Sequence, residues 1–274
     1  MNKPRVCSFE SRRNAEMRSL IQRHGGEPTV VASMQEVPLD DNTAAIDFAT
    51  RVEAGEVDIV IFMTGVGAQT LRDTLEQSSE TESKFKLFVE ALKVTSIVLR
   101  GPKPKAVLTK WGLQDFHVVP EPNTWRELVT LLDESSLEIA NKTVAVQEYG
   151  VPNRELYAAL EQRGATVLPV PVYRWKLPND TEPLRKAIEE VVAGTFDAVM
   201  FTSANQVRNV LQVADDAGLR DRFLEAVNAC VVASIGPTCS ETIVAEGMTV
   251  GFEASPPKMG PFVRGTLATL ESRD

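Results

Sequence analysis

Short apolar runs, each followed by a small or hydroxyl residue and then by a segment with one apolar face, recur along the whole chain. "DIVIF" (58–62) and "DAVMF" (197–201) are of this kind. Their unbroken apolar character is that of parallel strands covered on both faces. Thr64 and Ser203 follow them where a helix N-cap hydroxyl belongs. "ELYAALEQRGA" (155–165) is apolar along one side and meets Gly164 where its helix should stop. Pro102, Pro122, Pro152 and Pro237 fall near turns or first helical turns, where a missing N–H costs least. Strand, turn and helix in alternation predict a parallel sheet with helices on both faces.

The pattern is written twice. "AGEVDIVIFMTGVGAQTL" (54–71) lies over "AGTFDAVMFTSANQVRNV" (193–210) without a gap, with Asp58 against Asp197. "VLRGPKPKAVLTKWGL" (98–113) lies over "ASIGPTCSETIVAEGM" (233–248), matching Gly101-Pro102 with Gly236-Pro237 and Gly112 with Gly247. Residues 20–31 answer 159–170, and 118–132 answer 251–267, so each copy is expected to hold four strand–helix units. Two proline-bearing stretches, 32–42 and 168–180, break the rhythm at corresponding places and read as connectors. Periodicity alone leaves two arrangements open. One is tandem domains at 1–140 and 141–274. In the other, residues 1–32 fold with the last hundred residues and the middle forms a domain of its own.

Composition narrows the function. A chain of 274 residues is long for one core, and 43% apolar with 24% charged residues is an ordinary globular balance. The net charge of −9 disfavours nucleic acid, and no apolar run is long enough to span a bilayer. The N-terminus lacks the apolar core of a secretory signal, and Cys7, Cys230 and Cys239 are scattered, which suits a reducing cytoplasm. With His24 and His117 as the only histidines, a histidine metal centre or triad is not expected. "TGVGAQ" (64–69) lacks the third glycine of a dinucleotide fingerprint, and no GxxxxGK[ST] occurs. Anion binding stays open, because open α/β domains gather strand C-termini and helix N-termini at one edge, where backbone N–H groups suit carboxylates or phosphates. If two such edges face each other, the seam becomes a cleft.

The pieces "IFMTGVGAQTL", "VLRGPKPKAVLTKWGL", "VPEPNTWREL", "VQEYGVPNRELYAALEQRGATVLPVPVYRW", "FTSANQV", "SIGPTCSETIVAEG" and "PPKMGPFV" run in order over most of the chain. Together they resemble the uroporphyrinogen-III synthases, above all in the Q-x-YG-x-PN-x-EL segment leading to PVYRW. The resemblance implies two flavodoxin-like α/β parallel-sheet domains joined by a two-stranded connector. It selects residues 1–32 with 177–274 as a discontinuous domain, 41–168 as the inserted domain, and 33–40 and 169–176 as connector strands. It also implies an enzyme, a cyclising hydro-lyase of tetrapyrrole (haem) biosynthesis. Hydroxymethylbilane would lose water and close through a spiro intermediate with its last pyrrole ring inverted. No metal or organic cofactor is implied. The partners are that small molecule and a transient handover from hydroxymethylbilane synthase, with neither nucleic acid nor membrane.

Because the bilane carries eight carboxylates, anion binding is the main task. The N–H groups after Thr64, Arg100, Gln147, Thr202 and Ser234 are expected to hold them, each charge-assisted hydrogen bond contributing roughly 1.5–3 kcal/mol. The substrate-binding set implied is Thr64, Gly65, Arg100, Gly101, Lys103, Gln147, Tyr149, Gly150, Asn153, Thr202, Ser203, Ser234, Gly236 and Thr238. Lys105 and Arg154 would add local positive charge, though solvated first-turn positions explain all these basic residues as well. Lys103-Pro104 stands where many relatives have a small hydroxyl residue. Tyr173 matches the family's recurrent tyrosine and is the expected general acid, a neutral donor because tyrosine titrates near about 10; packing of the connector is the plain alternative. Tyr157, Met63 and Met259 read as packing residues. Folding the bilane for inversion makes proximity the main source of rate. A non-catalytic tetrapyrrole-binding or regulatory protein of the same fold is the rival, and a dinucleotide oxidoreductase, which lacks its fingerprint, comes third.

Overall fold

The structure is a computed structural model that describes residues 3–39, 41–78 and 84–272. Asp40, counted in the expected connector 33–40, lies outside the described residues, as do 1–2, 79–83 and 273–274 of the expected domains. The chain opens with β1 (Arg5–Ser8), α1 (Asn14–Arg23), β2 (Glu27–Val30) and β3 (Gln35–Pro38). Next come α2 (Thr43–Glu53), β4 (Ile59–Phe62), α3 (Gly65–Gln77), α4 (Lys84–Leu92), β5 (Ser96–Leu99) and α5 (Pro102–Lys110). They are followed by β6 (His117–Val118), α6 (Trp125–Glu134), β7 (Thr143–Gln147), α7 (Arg154–Glu161), β8 (Thr166–Val170) and β9 (Tyr173–Lys176). The last elements are α8 (Glu182–Val192), β10 (Ala198–Phe201), α9 (Ala204–Asp216), α10 (Arg220–Ala229), β11 (Val231–Ser234), α11 (Pro237–Ala245), β12 (Val250–Glu253) and α12 (Met259–Glu271).

Two compact units result, residues 1–35 with 176–274, and residues 36–175. The first holds a parallel sheet ordered β12-β11-β10-β1-β2, and the second a parallel sheet ordered β6-β5-β4-β7-β8. Counted along the chain within each unit, the first sheet reads 2-1-3-4-5, the flavodoxin-like order. The second reads 3-2-1-4-5, the same sheet entered at its third strand. Val6 pairs with Ala198, so the first unit is discontinuous and the tandem arrangement is not adopted. β3 and β9 form the separate two-stranded ladder. β8 runs to Val170, so the first two residues of the expected connector 169–176 belong to a sheet.

Each sheet has five strands, where four units per copy were expected. The additional strands are β1 and β7, which sit inside their sheets and pair on both sides. β1 is only "RVCS", so it carries too few apolar positions to announce itself. Alternation along the strands divides each core into two layers, as a period of two requires. Val60, Phe62 and Ala145 pack on one face of the second sheet, and Ile59, Ile61, Val144 and Val146 on the other. Cys7, Val199 and Val232 face away from Val6, Ala198, Met200 and Val231 in the same way. All three cysteines are buried and unbridged.

The matched aspartates explain part of the repeat. Asp58 accepts from the backbone N–H of Thr143 at 2.8 Å and from Lys142 Nζ at 2.8 Å. Asp197 accepts from the N–H of Arg5 at 2.6 Å. Each carboxylate thus ties down the start of the neighbouring central strand. The Lys142 ammonium and the Thr143 N–H hold the Asp58 carboxyl below its ordinary value. A lowered folded value means stability that is present above the ordinary 3.8 and is lost as pH falls through the folded value. Asp58→Ala is therefore expected to lower stability by about 1 kcal/mol at pH 7, since solvent screens a partly exposed pair. Urea melts should show that difference shrinking as the pH drops below 3.8.

Candidate functional site

The C-terminal ends of the central strands hold most of the expected residues, and the two units differ there in detail. In the second unit, α3 begins at Thr64, whose hydroxyl accepts from the N–H of Gly67 at 2.9 Å. The N–H of Thr64 is itself held by Gln147 Oε1 at 3.2 Å. Gln147 is wholly buried and packs over the α3 backbone, where a side chain at Gly67 would collide with its amide. A Cβ on Gly65 would lie 2.8 Å from the carbonyl oxygen of Lys103. That glycine lets the start of α3 approach the start of α5. First-turn N–H groups have no intrahelical acceptor, which is the physical basis of an anion site at a helix start. α3 brings those of Gly65 and Val66, whereas Pro102 and Pro104 leave the first turn of α5 with only the N–H of Lys103.

An aromatic group stands beside this helix start. Tyr173 is only 2% exposed, and its hydroxyl lies 3.4 Å from Thr64 Oγ1. Its ring meets Trp175 edge-on with centroids 5.8 Å apart. Trp175 donates from Nε1 to the carbonyl of Tyr149 at 3.1 Å, fixing the turn at 149–150. Gly150 there has φ of 73°, and the guanidinium of Arg100 lies 5.1 Å from the centre of the Tyr149 ring. Thr64, Gly65, Arg100, Tyr149, Gly150 and Tyr173 are thus brought together on one unit.

Several expected donors are engaged inside the fold, and those expectations are corrected. The N–H after Gln147 donates to Val170 O at 2.9 Å, and the N–H after Ser234 donates to Phe201 O at 3.1 Å, both as extensions of the sheets. Ser234 is wholly buried and bonds within its own turn to Gly236. Thr202 donates its N–H to Gln206 Oε1 at 2.7 Å and its hydroxyl to Glu10, so neither is left for an external carboxylate. Asn153 caps α7 through the N–H of Leu156 at 3.0 Å, and Ser203 caps α9 through the N–H of Gln206. Gly101 and Gly236 precede Pro102 and Pro237 at the starts of α5 and α11, while Lys103, Lys105, Arg154 and Thr238 are exposed on first turns. Met63 is in the core of the second unit, and Met259 is half-buried against the core of the first.

Two buried carboxylates were missed. Glu10 follows β1 and Glu148 follows β7, at equivalent places in the two sheets. Glu10 takes the Thr202 hydroxyl and, at 2.9 Å, the N–H of Arg13. Glu148 takes the Tyr157 hydroxyl at 2.7 Å, so Tyr157 does more than pack. Burial pushes the Glu148 carboxyl up, against the opposing pull of the Tyr157 hydroxyl and the Arg174 charge. Burial, with the adjacent Glu148, also pushes the Tyr157 phenol up. Had the residues after β1 and β7 been aligned, the repeated Phe9-Glu10 and Gln147-Glu148 steps would have pointed to both carboxylates.

Among the described residues, no cluster of three or more His, Cys, Asp or Glu is placed to hold a metal, and no helix is long and apolar enough to cross a membrane. The fold and these edges define a class: a duplicated α/β protein with helix starts suited to anions and an aromatic group beside one of them. The chain belongs to the uroporphyrinogen-III synthase family, whose model, described as uroporphyrinogen-III synthase HemD, matches residues 15–264. It is similar to the uncharacterized protein YjjA of Bacillus subtilis, 30% identical over 89% of this chain and 88% of that one. A Methanothermobacter thermautotrophicus protein named provisionally as a uroporphyrinogen-III synthase is 29% identical over 86% of this chain and 87% of its own. Among solved structures, a mutant uroporphyrinogen III synthase of Thermus thermophilus has a TM-score of 0.74 and 24% identity, covering 98% of this chain and 99% of that one. At that identity the likeness speaks for the fold.

Proposed function

We propose that this protein is a uroporphyrinogen-III synthase that cyclises hydroxymethylbilane with loss of water and inversion of the last pyrrole ring. The observation that carries the reading is the meeting of the Tyr173 hydroxyl with the start of α3 at Thr64, in a chain of this family. The start of α3 at Gly65 supplies N–H groups for acetate and propionate side chains, with the N–H of Lys103 beside it on α5, whose Pro102 and Pro104 have none to give. Arg100, held over Tyr149, adds a positive charge beside them. Tyr173 is the hydroxyl donor to the leaving oxygen. The hydroxymethyl C–O bond breaks as the electron pair of the pyrrole nitrogen moves into the ring system. The oxygen leaves as water, carrying a proton that ring closure returns. Orientation of the last ring decides which carbon attacks, and it is the main contribution to catalysis. Direct handover of the bilane from hydroxymethylbilane synthase belongs to the same proposal, because free bilane closes without inversion to isomer I.

The test is a coupled assay. Porphobilinogen and hydroxymethylbilane synthase generate the bilane in place, and the oxidised products are separated into isomers I and III. Isomer III appearing only with this protein and without added cofactor is the expected result. Isomer I alone, from folded protein, would reject the synthase reading and favour a binding or regulatory role.

A further inference from the structure

Glu148 is out of place in a protein that must hold carboxylates. It is 7% exposed, one oxygen accepts the Tyr157 hydroxyl, and among the described residues no hydrogen bond reaches its other oxygen. The residue nevertheless lines a cavity of about 430 Å³ within the second unit, shared with Gly150, Pro152, Pro171, Arg174 and Trp175. That volume is near the low end of small-molecule sites, roughly 300–1,000 Å³. The walls state what fits. The indole and prolines suit a flat ring, Glu148 asks for an N–H donor or a cation, and Arg174 asks for an anion. A multiply charged cation is opposed by Arg174 and has no ligand cluster here among the described residues. A planar N–H heterocycle carrying a carboxylate satisfies all three walls.

We propose that this cavity seats one pyrrole ring of the substrate, its N–H on Glu148 and a side-chain carboxylate on Arg174, and that Glu148 stabilises the cation this ring becomes. The inference rests on the synthase reading and deepens it. When the hydroxymethyl C–O bond breaks, the ring keeps its N–H proton and becomes an azafulvenium cation, while the oxygen departs as water. The N–H···carboxylate hydrogen bond strengthens as that charge develops, so it favours the transition state over the bound substrate. Attack by the last ring then discharges the cation, and the proton lost on rearomatisation replaces, by way of solvent, the one that Tyr173 gave to the departing oxygen. Tyr157 acts as a positioning residue, holding the other carboxylate oxygen.

The experiment uses the full chain and its Glu148→Gln variant in the coupled assay, with Tm measured beside it. The variant is expected to form isomer III with kcat lower by roughly 10²-fold, the scale of removing one preorganised charge-stabilising group, and with KM within a few-fold. Its Tm should equal or exceed that of the wild type. A carboxyl raised on folding loses stability as pH climbs from its ordinary value through the folded one, and the neutral amide escapes that loss. A monopyrrole bearing one acetate and one propionate, titrated against tryptophan fluorescence, tests the seat without turnover. It should bind the wild type and bind more weakly to both Glu148→Gln and Arg174→Gln, so a poorly folding first variant still leaves the second to decide. Wild-type kcat in folded Glu148→Gln, or equal monopyrrole binding by the wild type and Arg174→Gln, overturns the proposal. Absence of isomer III from the wild type, with the monopyrrole still bound, rejects the synthase reading instead and leaves the ring-binding cavity standing without its catalytic role.

Discussion

Gly150→Ala is expected to lower the Tm of the unit that carries it by about 10 °C and to abolish product formation at temperatures where the wild type works. Two independent costs add at this residue. Its φ of 73° lies in the left-handed region, where an L side chain costs roughly 1–2 kcal/mol. The new Cβ would also lie 2.4 Å from Trp175 Cδ1 and 2.8 Å from Tyr173 Cε2. Ring atoms cannot yield like the end of a flexible chain, and overpacking of this kind costs about 1–3 kcal/mol. A total near 3 kcal/mol in a unit of this size corresponds to about 10 °C. The site suffers with the fold, because Trp175 is hydrogen-bonded to the Tyr149 carbonyl and the displaced Tyr173 ring stands beside the start of α3. Gly55→Ala is the control. It pairs a similar φ of 72° with open space, so it should show only the conformational cost, about half the loss. Equal losses in the two variants, measured by calorimetry, would show that ring collision contributes nothing.

The contrast between these glycines also marks what a sequence can reveal. Thr64 and Ser203 were legible as N-caps because capping is local: a hydroxyl after an apolar strand and before an amphipathic helix has one natural task. The sheets were legible as parallel because runs such as Ile59–Phe62 must be covered on both faces. β1 escaped notice because "RVCS" becomes a central strand only through partners supplied by β10, far along the chain. Thr202 looked as available as Ser203 in "FTSANQ", and only the arrival of Glu10 at its hydroxyl shows that it serves the interior.

The two copies also solve one local problem differently. In the first unit Gln206, from the start of α9, turns its amide to the N–H of Thr202. In the second the corresponding helix position is Gly67, and Gln147 at the end of β7 turns its amide to the N–H of Thr64. Aligned letter by letter, glutamine against glycine looks like divergence; in space, a buried amide takes an N–H of the strand-to-helix turn in both units, at positions one residue apart. Glu148 was invisible for the same reason. A glutamate next to a tyrosine in "VQEYG" reads as surface until the fold brings Tyr157, Arg174 and Trp175 around it.

Tyr173→Phe carries the other large expected effect, and that effect is on rate. Phenylalanine keeps the ring that packs in the core and meets Trp175 edge-on. The contact with Thr64 is 3.4 Å long, well beyond the usual 2.7–2.8 Å between hydroxyl oxygens, so that contact itself contributes little to stability. Loss of a positioned proton donor lowers rates by 10²–10⁴-fold in general, and in the proposed reaction the pyrrole nitrogen helps to expel the oxygen, which places the expected fall in kcat near 10²-fold. KM should hardly move, since the proposed carboxylate donors lie at the helix starts and not on the phenol. Thr64→Val separates the alternatives. It removes the neighbouring hydroxyl and the α3 cap but leaves the phenol, and should cost about 1 kcal/mol of stability with kcat retained to within a few-fold. A Tyr173→Phe enzyme with wild-type kcat would remove the phenol from the chemistry and leave the departing oxygen to draw its proton from water, with orientation and the charge of Glu148 carrying the acceleration.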